Sequence, residues 1–160
     1  MHGVKSPDEL TSAFRARGLK VTPQRQAVFR ALHDNPEHPT AESVYDAVRA
    51  EMPTISLRTV YQTLNDLAAM GELRQLSFGP GSARFDPNAD DHHHLVCESC
   101  GKVIDVYADT SRVELTPAAR QGFTITTTQV VFRGRCADCS AADPLSNPNP
   151  NHQEETTIHA

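Results

Sequence analysis

The chain has 160 residues, 38% of them apolar and 22% charged, an ordinary composition for a soluble globular protein. No stretch approaches the roughly 20 apolar residues of a membrane span, and the opening MHGVKSPDEL has no apolar core for a signal peptide, so a cytoplasmic location without membrane partners is expected. The formal net charge of −5 argues against a nucleic-acid partner, yet across residues 1–33 Lys5, Arg15, Arg17, Lys20, Arg25 and Arg30 oppose only Asp8 and Glu9, a local net of +4. That basic segment reads equally as a solvated helical face or as an electrostatic footprint.

In chain order, Ser6 caps a first helix, with Pro7 in its first turn and Glu9 completing a Ser-x-x-Glu capping box, and Gly18 ends it. Thr22-Pro23 opens a second, with Ala27, Val28, Ala31 and Leu32 at helical spacing, stopped by Asn35-Pro36. Thr40 opens a third, whose Val44, Tyr45 and Val48 share a face before Pro53 closes it. Ser56 opens a fourth through Met70, with Val60, Leu64 and Leu67 as its apolar stripe and Gly71 as cap. The short link from Met52 to Ser56 suits a helix-turn-helix. Leu73–Leu76 and Ala83–Phe85 flank Gly79-Pro80-Gly81-Ser82 and read as a β-hairpin. Helices followed by a hairpin make a winged helix.

Beyond a polar hinge at residues 88–91 the pattern changes to strands, at His94–Val96, Val103–Tyr107 and Phe123–Phe132, with a helix expected near Arg112–Gln121 that Pro117 weakens. The Pro/Asn-rich residues 141–160 lack apolar periodicity and are expected to be a disordered tail. The predicted organisation is therefore 1–87, a winged-helix unit; 88–91, a hinge; 92–140, a strand-rich unit; and the tail.

All four cysteines fall in two Cys-x-x-Cys pairs, Cys97/Cys100 and Cys136/Cys139. Two residues between cysteines let a tight turn aim both sulfurs at one ion, and two such pairs give a four-thiolate, structural Zn(II) site. The 35 intervening residues make it a clamp between distant strands. A redox dithiol or unrelated buried thiols are the alternative readings. Just before the first pair stands Asp90-Asp91-His92-His93-His94. Alternate residues of a strand share a face, so His92 and His94 can reach one ion while His93 points away. Mixed imidazole and carboxylate ligands suit a first-row divalent metal of intermediate softness. Two sites of different chemistry suggest one structural and one regulatory.

Several motifs together resemble those of the ferric uptake regulator (Fur) superfamily. They are Gly18-Leu-Lys-Val-Thr-Pro-Gln-Arg25, His38-Pro-Thr40, Ser56-Leu-Arg-Thr-Val-Tyr61, Ala83-Arg-Phe-Asp86, His92-His-His-Leu-Val-Cys97, Gly101-Lys-Val-Ile-Asp105 and the final cysteine pair. They run in the family's order over about residues 10–140. The resemblance implies an α+β protein, with an N-terminal winged helix-turn-helix domain and a small α/β dimerisation domain holding the structural zinc, assembled as a homodimer. It also implies a regulatory site of His38, Asp86, His92, His94 and Asp105 that takes Fe(II) or Mn(II). Asp105 stands where iron-uptake regulators usually carry Glu, which is similar to the peroxide-responsive (PerR-like) branch. Two positions depart from the family pattern: His93 stands where other members carry Tyr or Asp, and Thr128 where many carry the histidine of a further metal site.

The expected partner is a pseudo-palindromic double-stranded DNA operator, met by two dyad-related readers with the Ser56–Met70 helix in the major groove. Arg58, Tyr61 and Gln62 lie near that helix's start, within reach of base edges, although Tyr61 equally suits packing or a phosphate contact. Lys20 resembles a minor-groove contact of the family. An enzyme acting on a small organic substrate is disfavoured, because a four-thiolate zinc has no open position and no nucleophile-and-base motif or phosphate loop is present. A metal-storage role would leave the helix-turn-helix and wing unused.

Overall fold

The computed structural model describes residues 5–142 apart from Pro36, Pro80 and Ala89. The first four elements are helices: α1 (Pro7–Ala16), α2 (Pro23–His33), α3 (Ala41–Glu51) and α4 (Leu57–Ala69). Each begins at a hydroxyl cap, which satisfies amides that the first helical turn leaves without partners. Ser6, Thr22, Thr40 and Ser56 accept from the N–H groups of Glu9, Arg25, Ser43 and Thr59 at 3.1–3.3 Å, and Glu9 returns the bond to the Ser6 N–H at 2.7 Å. Gly71, at φ +79°, ends α4 in a left-handed conformation that a side chain would strain.

The apolar stripes of these helices meet in one core containing Phe14, Val28, Phe29, Leu32, Val44, Val48, Val60, Leu64 and Leu67. Phe14 and Phe29 pack edge to face at 4.9 Å. Arg25 lies over the Phe14 ring and reaches Asp66 at 2.9 Å, tying α2 to α4. A short antiparallel hairpin follows, β1 (Arg74–Leu76) and β2 (Arg84–Asp86), registered Gln75 to Phe85. Period-2 alternation turns Phe85 into the helical core and carries its neighbour Asp86 into buried surroundings outside the apolar cluster.

The second sheet has the order β4–β3–β5. Its centre is β3 (His93–Cys97), antiparallel to β4 (Val103–Val106) and parallel to β5 (Val131–Gly134). Among the described residues beyond Pro87 only Asn88, His92, His93, His94, Val96, Cys97 and Val103 are buried. Leu95 lies abreast of Ile104 and Phe132 across the three strands, and these side chains are 44%, 44% and 42% exposed. Val113, Leu115, Phe123 and Ile125 are exposed as well.

Three expectations change. The strand read over Phe123–Phe132 is paired only as β5, at 131–134. Residues 123–130 have the Thr and Val enrichment of a strand, but the registered pairs begin only at Val131. The helix read over Arg112–Gln121 shrinks to α5 (Pro117–Arg120). Thr116 caps it by accepting from Ala119, Pro117 occupies its first turn, and Gln121 and Gly122 both take positive φ and end it. Ala141 and Ala142, assigned to the tail, close a final helix α6 (Ala137–Ala142); the rest of that tail, 143–160, lies outside the described residues.

Candidate metal centres

The first centre forms where β3 and β5 end side by side. Cys97 closes β3 opposite Gly134, Cys100 follows in the adjoining turn, Cys136 lies just past β5, and Cys139 is in α6. All four Sγ atoms lie within 4.8 Å of one another, and Cys100 and Cys136 are 3.8 Å apart. A disulfide would require about 2.05 Å, whereas four sulfurs about 2.3 Å from a tetrahedral zinc are spaced about 3.8 Å apart. The arrangement therefore fits a four-thiolate ion. The backbone N–H groups of Cys100 and Cys136 hold the Cys97 thiol down to about 6, where it is a thiolate at neutral pH. Hydrogen bonding to Cys136 and Cys100 pushes Cys139 up to about 12. Without a metal Cys139 therefore keeps its proton beside the Cys97 thiolate, and a bound cation would displace it, since the thiolate is the ligand.

The second centre draws on three parts of the chain. His38 comes from the loop before α3, Asp86 from the end of β2, His92 from the residue just before β3, and His94 and Asp105 from the second sheet, where they are paired neighbours. One donor atom from each lies within 4.8 Å of all the others. His92 Nε2 is 3.0 Å from His94 Nε2, 3.0 Å from Asp86 Oδ2 and 3.2 Å from Asp105 Oδ1; His38 Nε2 is 2.8 Å from Asp105 Oδ1. Donors about 2.1 Å from a shared ion and at right angles to each other sit about 3.0 Å apart. These contacts are short but lack hydrogen-bond geometry, so His38 Nε2, Asp86 Oδ2 and Asp105 Oδ1 are buried with no hydrogen bond, a costly condition unless a cation takes their lone pairs. The five donors fit a divalent first-row metal.

The far side of the His92 ring is arranged for the same task. A backbone carbonyl only accepts, so the 2.8 Å contact of His92 Nδ1 with the Asp90 carbonyl puts the proton on Nδ1 and leaves Nε2 free to ligate. The Gln129 amide Nε2 lies 2.9 Å from His94 Nδ1 and can donate to it. Burial, then the neighbouring His92 and His38, keep His94 below the ordinary histidine range and hence neutral. His93 faces elsewhere, accepting the Val130 N–H at 3.3 Å, as strand alternation requires.

The profile of the Ferric uptake regulator family matches residues 16–133. The chain belongs to that family. As a ferric uptake regulator family protein it is a metal-responsive transcription regulator. It is 35% identical over 133 residues to the peroxide-responsive repressor PerR of Staphylococcus aureus, a match spanning 82% of this chain and 90% of that one. The ferric uptake regulator of Helicobacter pylori shares the fold, with a TM-score of 0.71 at 20% identity over 88% of this chain and 97% of that one. That of Pseudomonas aeruginosa, solved with manganese, gives 0.61 at 30% identity over 79% and 97%.

Of the side chains read as DNA contacts, Lys20, Arg58 and Gln62 are exposed. Tyr61 is half-buried, and its hydroxyl donates to Glu42 Oε1 at 2.6 Å, which holds α4 to α3. The sequence reading missed Glu42, Asn88, Tyr107 and Gln129. Each is a single polar residue without a spacing motif, and its role depends on a partner at least 17 residues away. Asn88, read as the start of a polar hinge, is buried, and its N–H and both ends of its side-chain amide are hydrogen-bonded.

Proposed function

We propose that this family member is a homodimeric DNA-binding repressor that requires a regulatory metal and releases its operator when peroxide oxidises a metal-ligating histidine. The observation that carries the reading is the five-donor cage. His38 belongs to the helical unit and His92, His94 and Asp105 to the sheet, so a shared ion ties the two units at one relative angle and selects a DNA-competent form. The four thiolates would hold structural Zn(II), and the cage Fe(II) or Mn(II). Helices α3 and α4 with the β1–β2 hairpin form a winged helix-turn-helix, in which α4 would present Arg58 and Gln62 to the major groove, with Tyr61 beside them and Lys20 placed for a backbone or minor-groove contact. The proposed organisation keeps residues 1–87 as reader and 92–140 as sensor and dimer unit. The row of Leu95, Ile104 and Phe132 is an exposed apolar surface of the kind that a second copy covers. Among the described residues no helix is long and apolar enough to cross a membrane, and we place the regulator in the cytoplasm.

Bound Fe(II) would supply one-electron reduction of hydrogen peroxide next to its own ligands. The overall change adds one oxygen atom to the imidazole of His38 or His92 and releases water. An oxidised ring loses the nitrogen donor that these side chains contribute, and the tie between the units is cut. Support comes from the 35% identity to a peroxide-responsive repressor and from Asp105 at the fifth donor position. Resemblance to the manganese-bound Pseudomonas regulator favours a second reading, a repressor that follows iron or manganese supply without sensing peroxide.

Operator binding measured with Fe(II) and with Mn(II), before and after a micromolar peroxide pulse, separates the two. Peroxide sensing is expected to release DNA from the iron form only, with a mass gain of one oxygen on the His38 or His92 peptide. Release with unmodified histidines and new Cys97 or Cys136 disulfides would overturn the mechanism and move the sensor to the thiolates.

A further inference from the structure

Both carboxylates of the five-donor cage are held by one residue that is not a ligand. Asn88 is 8% exposed. Its backbone N–H donates to Asp86 Oδ1 at 2.8 Å, and its side-chain Nδ2 donates to Asp105 Oδ2 at 2.8 Å and to the Tyr107 hydroxyl at 2.9 Å. Its Oδ1 accepts the Asp90 N–H at 3.2 Å, which fixes which end of the amide faces Asp105. The two oxygens bound to Asn88 are Asp86 Oδ1 and Asp105 Oδ2. The two left without a partner are their opposites, Asp86 Oδ2 and Asp105 Oδ1. Asp105 Oδ1 lies 2.8, 3.2 and 3.7 Å from His38, His92 and His94. Asp86 Oδ2 lies 3.0 and 3.5 Å from His92 and His94, whereas His38 is nearer Asp86 Oδ1, at 3.5 Å.

We propose that Asn88 is a positioning residue that restricts Asp86 and Asp105 to one donor oxygen each and so keeps the coordination number of the regulatory metal low. The inference rests on the reading of the cage as a metal site. A carboxylate with no such restraint can rotate and offer both oxygens. Here each rotation would break a charge-assisted hydrogen bond in a buried setting. The amide has no spare donor either, because both of its hydrogens are already used. The residue between wing and sheet thereby couples the two carboxylates, one from each unit, through a single side chain and its own peptide.

The test uses the full-length, zinc-loaded protein titrated with Co(II), whose visible bands report coordination number directly. The parent is expected to show bands without thiolate-to-cobalt charge transfer, since zinc occupies the cysteines. Asn88→Ala is expected to bind Co(II) about 10–100-fold more weakly, the usual consequence of removing an outer-shell partner, and to show weaker bands per bound ion as coordination number rises. Asn88→Leu, which keeps the branched shape and the number of side-chain heavy atoms, should do the same; zinc content and helix melting should stay at parent values in both. Tyr107→Phe, which leaves the Asn88–Asp105 bond intact, should change affinity by less than about threefold.

Parent-like affinity and spectrum in whichever Asn88 variant folds would overturn the proposal, as would a Tyr107→Phe effect equal to that of Asn88→Ala. A parent whose Co(II) binding is unaffected by His38→Ala would instead refute the cage, and with it this inference.

Discussion

Replacing Cys136 with serine should unfold the sheet while leaving the helices folded. Every member of the apolar cluster lies at or before Phe85. Among the described residues beyond Pro87 the buried apolar side chains outside the cysteine site are Val96 and Val103, worth about 1.5–3 kcal/mol each when fully buried, or roughly 3–6 kcal/mol together. A structural zinc contributes about 10–16 kcal/mol. Within one chain, therefore, the metal outweighs the sheet's whole apolar core, and the apolar row around Leu95 stabilises it further only when a second copy covers it. Serine leaves three thiolates and a hydroxyl that remains neutral at pH 7, so zinc should be lost to a mild chelator. Amide exchange read by mass spectrometry is the decisive assay. The amides of β3, β4 and β5 should approach unprotected rates, while those of α2 and α4 should stay within a fewfold of the parent. Zinc-free Cys136→Ser with protected β3 amides and an intact dimer would refute the reasoning, because burial alone would then hold the sheet.

His38→Ala should retain zinc and the fold but lose metal-dependent operator binding, since this side chain joins only the five-donor cage; operator titration against Mn(II) checks it, and parent-like metal dependence would remove His38 from the ligand set. The Glu42–Tyr61 pair should leave a mark on acid stability. The Tyr61 hydroxyl holds the Glu42 carboxyl below its ordinary value of 4.5. Stability from the pair is thus fully present above 4.5 and is lost as pH falls through the lower, folded-state value. Tyr61→Phe should flatten that part of the urea-stability profile between pH 5 and 3, and an unchanged acid limb would show that the bond contributes nothing.

Much of this molecule is written locally. The four helix starts follow from hydroxyl caps that need only the next three residues, and the helix lengths follow from apolar residues recurring on one face. Both Cys-x-x-Cys pairs announce a tetrahedral ion because turn geometry alone brings two sulfurs together. His92 and His94 follow from strand alternation. His38, Asp86 and Asp105 were reached through family resemblance and not through spacing, and the physical reason is distance. They lie on a loop, a hairpin and a second sheet, and no local rule brings a donor from residue 38 within 2.8 Å of one from residue 105. The same limit hid Asn88. Its composition reads as a hinge, and only the approach of β4 turns it into the residue that orients two carboxylates. The stretch 123–130 marks the opposite case, for it is rich in Thr with β-branched Ile125 and Val130 as a strand should be, yet strand pairing needs a facing edge, and the registered pairs begin only at Val131. Caps, stripes and turns depend on neighbours in sequence and were legible; ladders, cages and the partners of buried polar groups depend on neighbours in space, and the tertiary structure decided them.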